Sequence, residues 1–304
     1  MNKVGIYFAF WTREWEADYK YYIKKAARLG FDILEITTAN LIGVPAGRRR
    51  EIRSAADDAG IGLTYCIGTP PEYDLASPDK KVRENGMEYS KRTLEAIHDM
   101  GGKIFGGINY SCWPVVQAPA GLEEKRAYRD RSVECMRKII KAAEDFDITY
   151  CFEVVNRFEQ FLLNTAAEGA EYCKAVESPN AKLLLDSFHM NIEEDSFTNA
   201  IVTAGDRLGH FHIGEPNRKT PGTGRMPWHE IYSALNSISY SGAVVMEPFV
   251  TPGGTVGKNI RVWRDLSDGG ADEARLDEKA LHACAFTKAV LDSTFENGGR
   301  GLLQ

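Results

Sequence analysis

The sequence is short of the features that mark several large functional classes. Basic residues are outnumbered: 37 lysines and arginines stand against 43 aspartates and glutamates, for a formal net charge of −6. Phosphate backbones are held by basic stripes, and the nearest approach to one is Arg48-Arg49-Arg50. That triplet opens a helical pattern continuing through Glu51, Arg53, Asp57 and Asp58, so it reads as a solvated helix face, and no nucleic-acid partner is expected. The six cysteines, Cys66, Cys112, Cys135, Cys151, Cys173 and Cys284, form no CxxC pair and no zinc-like spacing. A scattered set of this kind fits buried thiols in a reducing cytoplasm. Long apolar runs are missing too. The apolar stretch 4–11 is far short of the ~20 residues that span a bilayer. It carries no small-residue cleavage site, so a buried strand is expected there, with no leader and no membrane partner. No Pro/Ser-rich linker divides the chain. We expect one catalytic domain over 1–296 and a frayed tail over 297–304.

What is present is a regular alternation. Short apolar, β-branched runs fall at 4–8, 33–36, 62–67, 103–107, 150–153, 182–186, 208–212 and 243–247. Amphipathic stretches fall between and after them, at 18–29, 45–59, 79–100, 122–146, 165–176, 196–204, 227–238 and 276–294. Eight strands, each followed by a helix, predict a closed parallel (β/α)8 barrel, the TIM barrel, for which 304 residues is an ordinary length. Lys182-Leu183-Leu184-Leu185 and Ala243-Val244-Val245-Met246 read as strands covered on both faces. Gly30, Gly60 and Gly101-Gly102 stand where helices should stop. The segment 251–273 is long, Gly-rich and without period, and is expected to cap the barrel or meet another subunit.

The chemistry-bearing residues fall at strand ends. Glu153 closes the fifth predicted strand, Asp186 the sixth, His212 the seventh and Glu247 the eighth. In such barrels the C-terminal strand ends floor the active site. One carboxylate there reads equally well as a helix N-cap; four ligand-type residues on successive strands do not. Three carboxylates converging in a site of low dielectric would repel, and a divalent cation relieves that repulsion. An oxygen-rich set with one nitrogen suits Mn²⁺, Mg²⁺ or Co²⁺ better than a thiolate-type zinc site.

At these positions the sequence resembles the ketose 3-epimerase family, whose members act on D-tagatose, D-psicose (allulose) and L-ribulose and share a xylose-isomerase-like barrel. The resemblance is carried by Phe152-Glu153-Val154-Val155-Asn156-Arg157-Phe158-Glu159, Leu185-Asp186-Ser187-Phe188-His189-Met190, Gly209-His210-Phe211-His212-Ile213-Gly214-Glu215 and Val245-Met246-Glu247-Pro248-Phe249. Glu72-Tyr73-Asp74-Leu75-Ala76-Ser77-Pro78-Asp79-Lys80 and Val262-Trp263-Arg264-Asp265 extend it. Ser187 stands where threonine is common, and Pro216 interrupts the stretch leading to Arg218. The resemblance implies a divalent metal, Mn²⁺ first, held by Glu153, Asp186, His212 and Glu247. It implies further that Glu153 and Glu247 act as the acid/base pair, and that Glu159, His189 and Arg218 hold the C1–C3 end of a free ketose. A homodimer or homotetramer is also expected. Arg157 and Glu194 are taken as structural ion-pair partners.

The opposite wall of the pocket is read from Tyr7, Phe8, Trp15, Cys66, Gly107 and Trp113, at or just beyond strand ends one, three and four. Aromatic residues there would stack on a sugar and exclude water, although aromatics at strand ends also serve simply as core. The resemblance favours a pocket role for Trp113 and Cys66. No Gly-rich phosphate signature follows strands seven or eight, so an unphosphorylated sugar is expected. Three alternatives stay open: an aldose–ketose isomerase, a metal-dependent phosphodiesterase or endonuclease, and an inactive sugar-binding barrel. Only six histidines and no basic groove weigh against the second; intact Glu153 and Glu247 weigh against the third.

Overall fold

The computed structural model describes residues 2–298. Eight parallel strands, β1 (Val4–Tyr7), β2 (Ile33–Thr37), β3 (Gly62–Gly68), β4 (Ile104–Ile108), β5 (Thr149–Val154), β6 (Ala181–Asp186), β7 (Leu208–Ile213) and β8 (Val244–Met246), close into a barrel in sequence order. The helices around it are α1 (Tyr19–Arg28), α2 (Ala46–Ala59), α3 (Lys80–Asp99), α4 (Leu122–Asp145), α5 (Ala166–Val176), α6 (Ser187–Glu193), α7 (Phe197–Ala204), α8 (Trp228–Ser237), α9 (Gly254–Asn259) and α10 (Glu273–Gly298). All eight expected strands are present, each within two residues of its expected bounds.

The strands form because β-branched and aromatic residues buried on both faces leave little for water to hydrate: β1, β2 and β8 are buried along their whole length. Helix starts follow local chemistry. Asp18, Asp79, Thr165 and Ser196 accept backbone N–H groups as N-caps of α1, α3, α5 and α7. At the other end, Gly60 closes α2 in the left-handed region at φ 65°. The Arg48–Arg50 triplet lies on α2, with Arg48 paired to Glu51 and Arg49 to Asp99, an ion-paired helix face. All six cysteines are free and buried.

Two helices were not legible. α6 starts directly after β6 with no loop, and α9 interrupts the Gly-rich segment 251–273. α10 runs two residues past the expected domain boundary, to Gly298; the rest of the tail expected at 297–304 lies outside the described residues. Among the described residues no helix is long and apolar enough to cross a membrane.

Candidate active site

Strand register brings the four strand-end residues to one level. Asp186 is the last residue of β6 and pairs directly with His212 on β7. Glu153 sits one residue from the end of β5. Glu247 lies one residue beyond β8, held by its backbone N–H to the Ile213 carbonyl at 3.0 Å. One ligand atom from each of Glu153, Asp186, His212 and Glu247 lies within 4.8 Å of every other, and all four residues are buried. Asp186 also serves as the N-cap considered from sequence: one oxygen accepts the Phe188 N–H at 2.8 Å, leaving the other facing the cluster. Capping and a place in the cluster thus use different atoms of one side chain.

The imidazole of the cluster has a donor atom free for a metal. His212 Nε2 is engaged by Glu35 at 2.6 Å, while Nδ1 has no hydrogen-bond partner. That orphaned nitrogen lies 3.9 Å from Glu153 Oε1 and 3.8 Å from Glu247 Oε2. A buried lone nitrogen facing three carboxylates is a donor set suited to a hard divalent cation. Electrostatics agree. Burial, then Glu247, pushes the Glu153 carboxyl well above its ordinary range. Burial likewise raises Glu247, to about 6. For Asp186 burial is again the largest influence and acts upward, yet Arg218, His189, His212 and the Phe188 N–H together outweigh it and hold the carboxyl below its usual value.

Arg218 bridges the cluster. Its Nη1 donates to Asp186 Oδ2 at 2.8 Å and Glu247 Oε2 at 2.9 Å, and its guanidinium lies 3.9 Å above the Phe188 ring. Pro216 does not divert the loop. Arg218 turns inward at φ 61°, and the buried Glu215 side chain accepts from Gly222 N, Met226 N and Trp228 Nε1, tying down both sides of the segment. His189, on α6, is buried too. The Asn156 backbone N–H can only donate, and it meets Nδ1 at 3.2 Å. Nε2 faces the Arg218 Nη2 at 3.3 Å and lies 3.7 Å from Glu153 Oε1. Burial and Arg218 lower His189 to about 3, so it stays neutral.

Above this floor opens a cavity of about 280 Å³, lined among others by Tyr7, Trp15, Cys66, Trp113, Glu159 and Phe249. Glu159 accepts from Trp113 Nε1 at 2.9 Å, joining the loop after β5 to the loop after β4. Asn259 and Ile260, at the end of α9, also line it, and Trp15 Nε1 donates to Asn259 Oδ1 at 2.9 Å. The 251–273 segment therefore does reach over the barrel mouth.

Two expected wall residues do not belong to the cavity. Gly107 is packed beneath β3, at φ 107°, where even a Cβ would stand 2.1 Å from the Ile67 carbonyl oxygen; its neighbour Ile108 lines the cavity instead. Phe8 begins a short 3-10 turn after β1 that swings its ring into the core. Arg157 pairs with Glu193 at 2.7 Å, whereas Glu194 accepts from the Ala166 backbone at 2.6 Å rather than forming an ion pair. Sequence reasoning missed Glu35, Asn156, Glu215 and Asn259. Only Glu35 carries a visible signal, a lone charge inside an apolar strand.

A closed parallel barrel with a carboxylate–imidazole cluster at its strand C-termini has the layout of a (β/α)8 enzyme site, and the comparisons narrow the class. Residues 23–266 match the xylose isomerase-like TIM barrel family. The D-psicose 3-epimerase of Ruminiclostridium cellulolyticum is 49% identical over 290 residues, 95% of this chain and 98% of the relative. That of Agrobacterium fabrum is 48% identical over 289 residues, 95% and 99% of the two chains. The crystal structure of the D-psicose 3-epimerase with D-tagatose from Clostridium cellulolyticum H10 superposes with a TM-score of 0.92, at 49% identity, covering 95% of this chain and 99% of that one. This chain belongs to the ketose 3-epimerases.

Proposed function

We propose that the chain inverts carbon 3 of a free ketose, with Glu153 and Glu247 as opposed acid/base groups and a divalent cation, Mn²⁺ in preference to Co²⁺ or Mg²⁺, held by Glu153, Asp186, His212 and Glu247. The observation that carries this reading is the buried four-residue cluster with an unpartnered His212 Nδ1 at the floor of an aromatic-walled cavity.

Inversion at a carbon beside a carbonyl requires a proton to leave one face and return to the other. A single base would only exchange it. Glu153 and Glu247 come from β5 and the end of β8, two strands apart across β6 and β7, and both line the cavity. Each serves as base in one direction and acid in the other; a carboxyl raised toward neutrality suits both tasks. When bound, the cation supplies Lewis-acid polarisation of the ketose carbonyl. His189 and Arg218 lie beside the same carboxylates, where each would donate to the sugar oxygens and stabilise the negative charge developing on them. Glu159 accepts from a sugar hydroxyl while Trp113 holds it. Tyr7, Trp15 and Phe249 exclude water, and their scarcity of polar atoms predicts loose recognition of C4–C6. We place the catalytic unit at 1–296, in a reducing cytoplasm, as a homodimer or homotetramer; exposed Phe158 and Trp263 near the mouth support an association face.

Incubating the Mn²⁺-loaded protein with free D-fructose, D-tagatose, D-psicose and L-ribulose in D₂O tests this. Deuterium at C3 together with the 3-epimer is expected. Deuterium at C1 or C2 with an aldose product would instead assign an isomerase.

A further inference from the structure

The middle of β2 holds a carboxylate that this chemistry does not use. Glu35 is fully buried, and its partners reach it from across the barrel as well as from the next strand. Oε1 meets His212 Nε2 at 2.6 Å; Oε2 meets His210 Nε2 at 2.7 Å and accepts from Thr64 Oγ1 at 2.8 Å. β2 and β7 are not neighbours in the sheet, so the two imidazole contacts cross the barrel interior. Three hydrogen-bonding groups thus close on its two oxygens within 2.8 Å, the pattern of a carboxylate that accepts from each of them.

An ionised carboxylate only accepts hydrogen bonds. Both imidazoles must therefore present a proton on Nε2, which leaves Nδ1 of His212 as the nitrogen a cation can take once that atom's own proton is released. We infer that Glu35 is a positioning residue for the cation: it fixes the proton of His212 on Nε2 and the ring in one orientation, so that Nδ1 faces the three carboxylates. The inference rests on the reading of His212 as a ligand. A carboxylate behind a ligating histidine also raises its basicity. The arrangement is asymmetric in a telling way. Thr64 and His210 converge on Oε2, whereas His212 has Oε1 to itself. A glutamine at 35 would satisfy the two donors with its carbonyl and turn its amide NH₂ toward His212 Nε2. That nitrogen would then have to be bare, and the proton would sit on Nδ1, blocking the ligand position.

The experiment is a Mn²⁺ titration of the metal-free protein, following free Mn²⁺ by electron paramagnetic resonance. Glu35→Gln is expected to weaken Mn²⁺ binding about 10–100-fold, with excess Mn²⁺ restoring turnover and Glu35→Asp recovering part of the affinity. A purely structural role would lower the melting temperature of the metal-free protein and leave Mn²⁺ affinity alone, which would overturn the inference, as would an affinity within about threefold of wild type. If the wild-type protein takes up no Mn²⁺, the four-residue site itself fails, a separate outcome that removes the inference with it. Should Glu35→Gln not fold, wild-type protein labelled with ¹⁵N-histidine and loaded with Mg²⁺ decides the matter. A bare Nδ1 and a protonated Nε2 at His212, assigned by its loss in His212→Asn, are expected; a protonated Nδ1 would overturn the inference.

Discussion

Gly68 offers a way to disturb the sugar-binding wall without touching the barrel floor. It ends β3 against the Trp113 ring, where a Cβ would stand 2.7 Å from Cε3, 3.2 Å from Cδ2 and 3.3 Å from the Trp113 Cβ. Carbon atoms rest about 3.5 Å or more apart, so something must give by roughly 0.8 Å. β3 is hydrogen-bonded on both sides, with Gly68 in register with Ile108 on β4, so the ring moves rather than the strand. Trp113 Nε1 donates to Glu159 Oε2 at 2.9 Å. The same displacement stretches that bond to roughly 3.7 Å, beyond hydrogen-bond range. A hydrogen bond to a charged acceptor contributes about 1.5–3 kcal/mol, and the partial exposure of both partners puts this one at the lower end. Since about 1.4 kcal/mol is tenfold, Gly68→Ala should raise the KM for a ketose about tenfold. It should leave kcat and Mn²⁺ affinity within about threefold of wild type. Trp113→Phe, which removes the N–H without the clash, should reproduce the KM effect. Steady-state epimerisation at saturating Mn²⁺ reads all of these. A KM within about twofold of wild type in both variants would refute the path from Trp113 through Glu159.

The barrel was legible because its signals are local. An apolar run of four to eight residues and an amphipathic stretch with a cap each announce themselves within a short window. α6 escaped because Asp186 ends a strand and caps a helix at once, leaving no turn residues between them. The four-residue cluster was legible for a related reason: each of its residues falls within one residue of the end of a strand, so strand ends alone locate it. The parts that were missed depend on distant partners. Glu35 and His210 are 175 residues apart in the chain, and no spacing rule connects them. The hint lay in two breaches of strand chemistry, a carboxylate inside Ile33–Thr37 and two histidines facing inward from Leu208–Ile213, each costly to bury unless the other answers it. Gly107 was misplaced because strand-end position does not say which way a residue faces; its backbone is turned at φ 107° beneath the Ile67 carbonyl.

Two further outcomes follow from the acid/base and ligand assignments. Glu247→Gln preserves shape and an acceptor for Arg218 but removes the proton carrier, so kcat should fall about 10²–10⁴-fold with far-ultraviolet circular dichroism unchanged; turnover above about a tenth of wild type would exclude its role. Metal binding should also be linked to protons through His212. Burial lowers the basicity of that imidazole, but Glu35 and Glu247 outweigh it and raise its pKa to about 10 in the metal-free protein. A group with a raised pKa holds its proton at neutral pH, and the cation needs Nδ1 bare. Mn²⁺ binding between about pH 7 and 9 must therefore release at least one proton, with the raised Glu153 carboxyl adding to it, and the affinity must climb by at least about tenfold per pH unit. Below about 6 the dependence steepens, because there Glu247 is protonated as well. Titration calorimetry in buffers of different ionisation enthalpy measures the released proton directly. A pH-independent affinity with no proton release would mean that His212 is already neutral, or that the cation lies elsewhere; either way the chain of reasoning from Glu35 through His212 to the barrel floor would break.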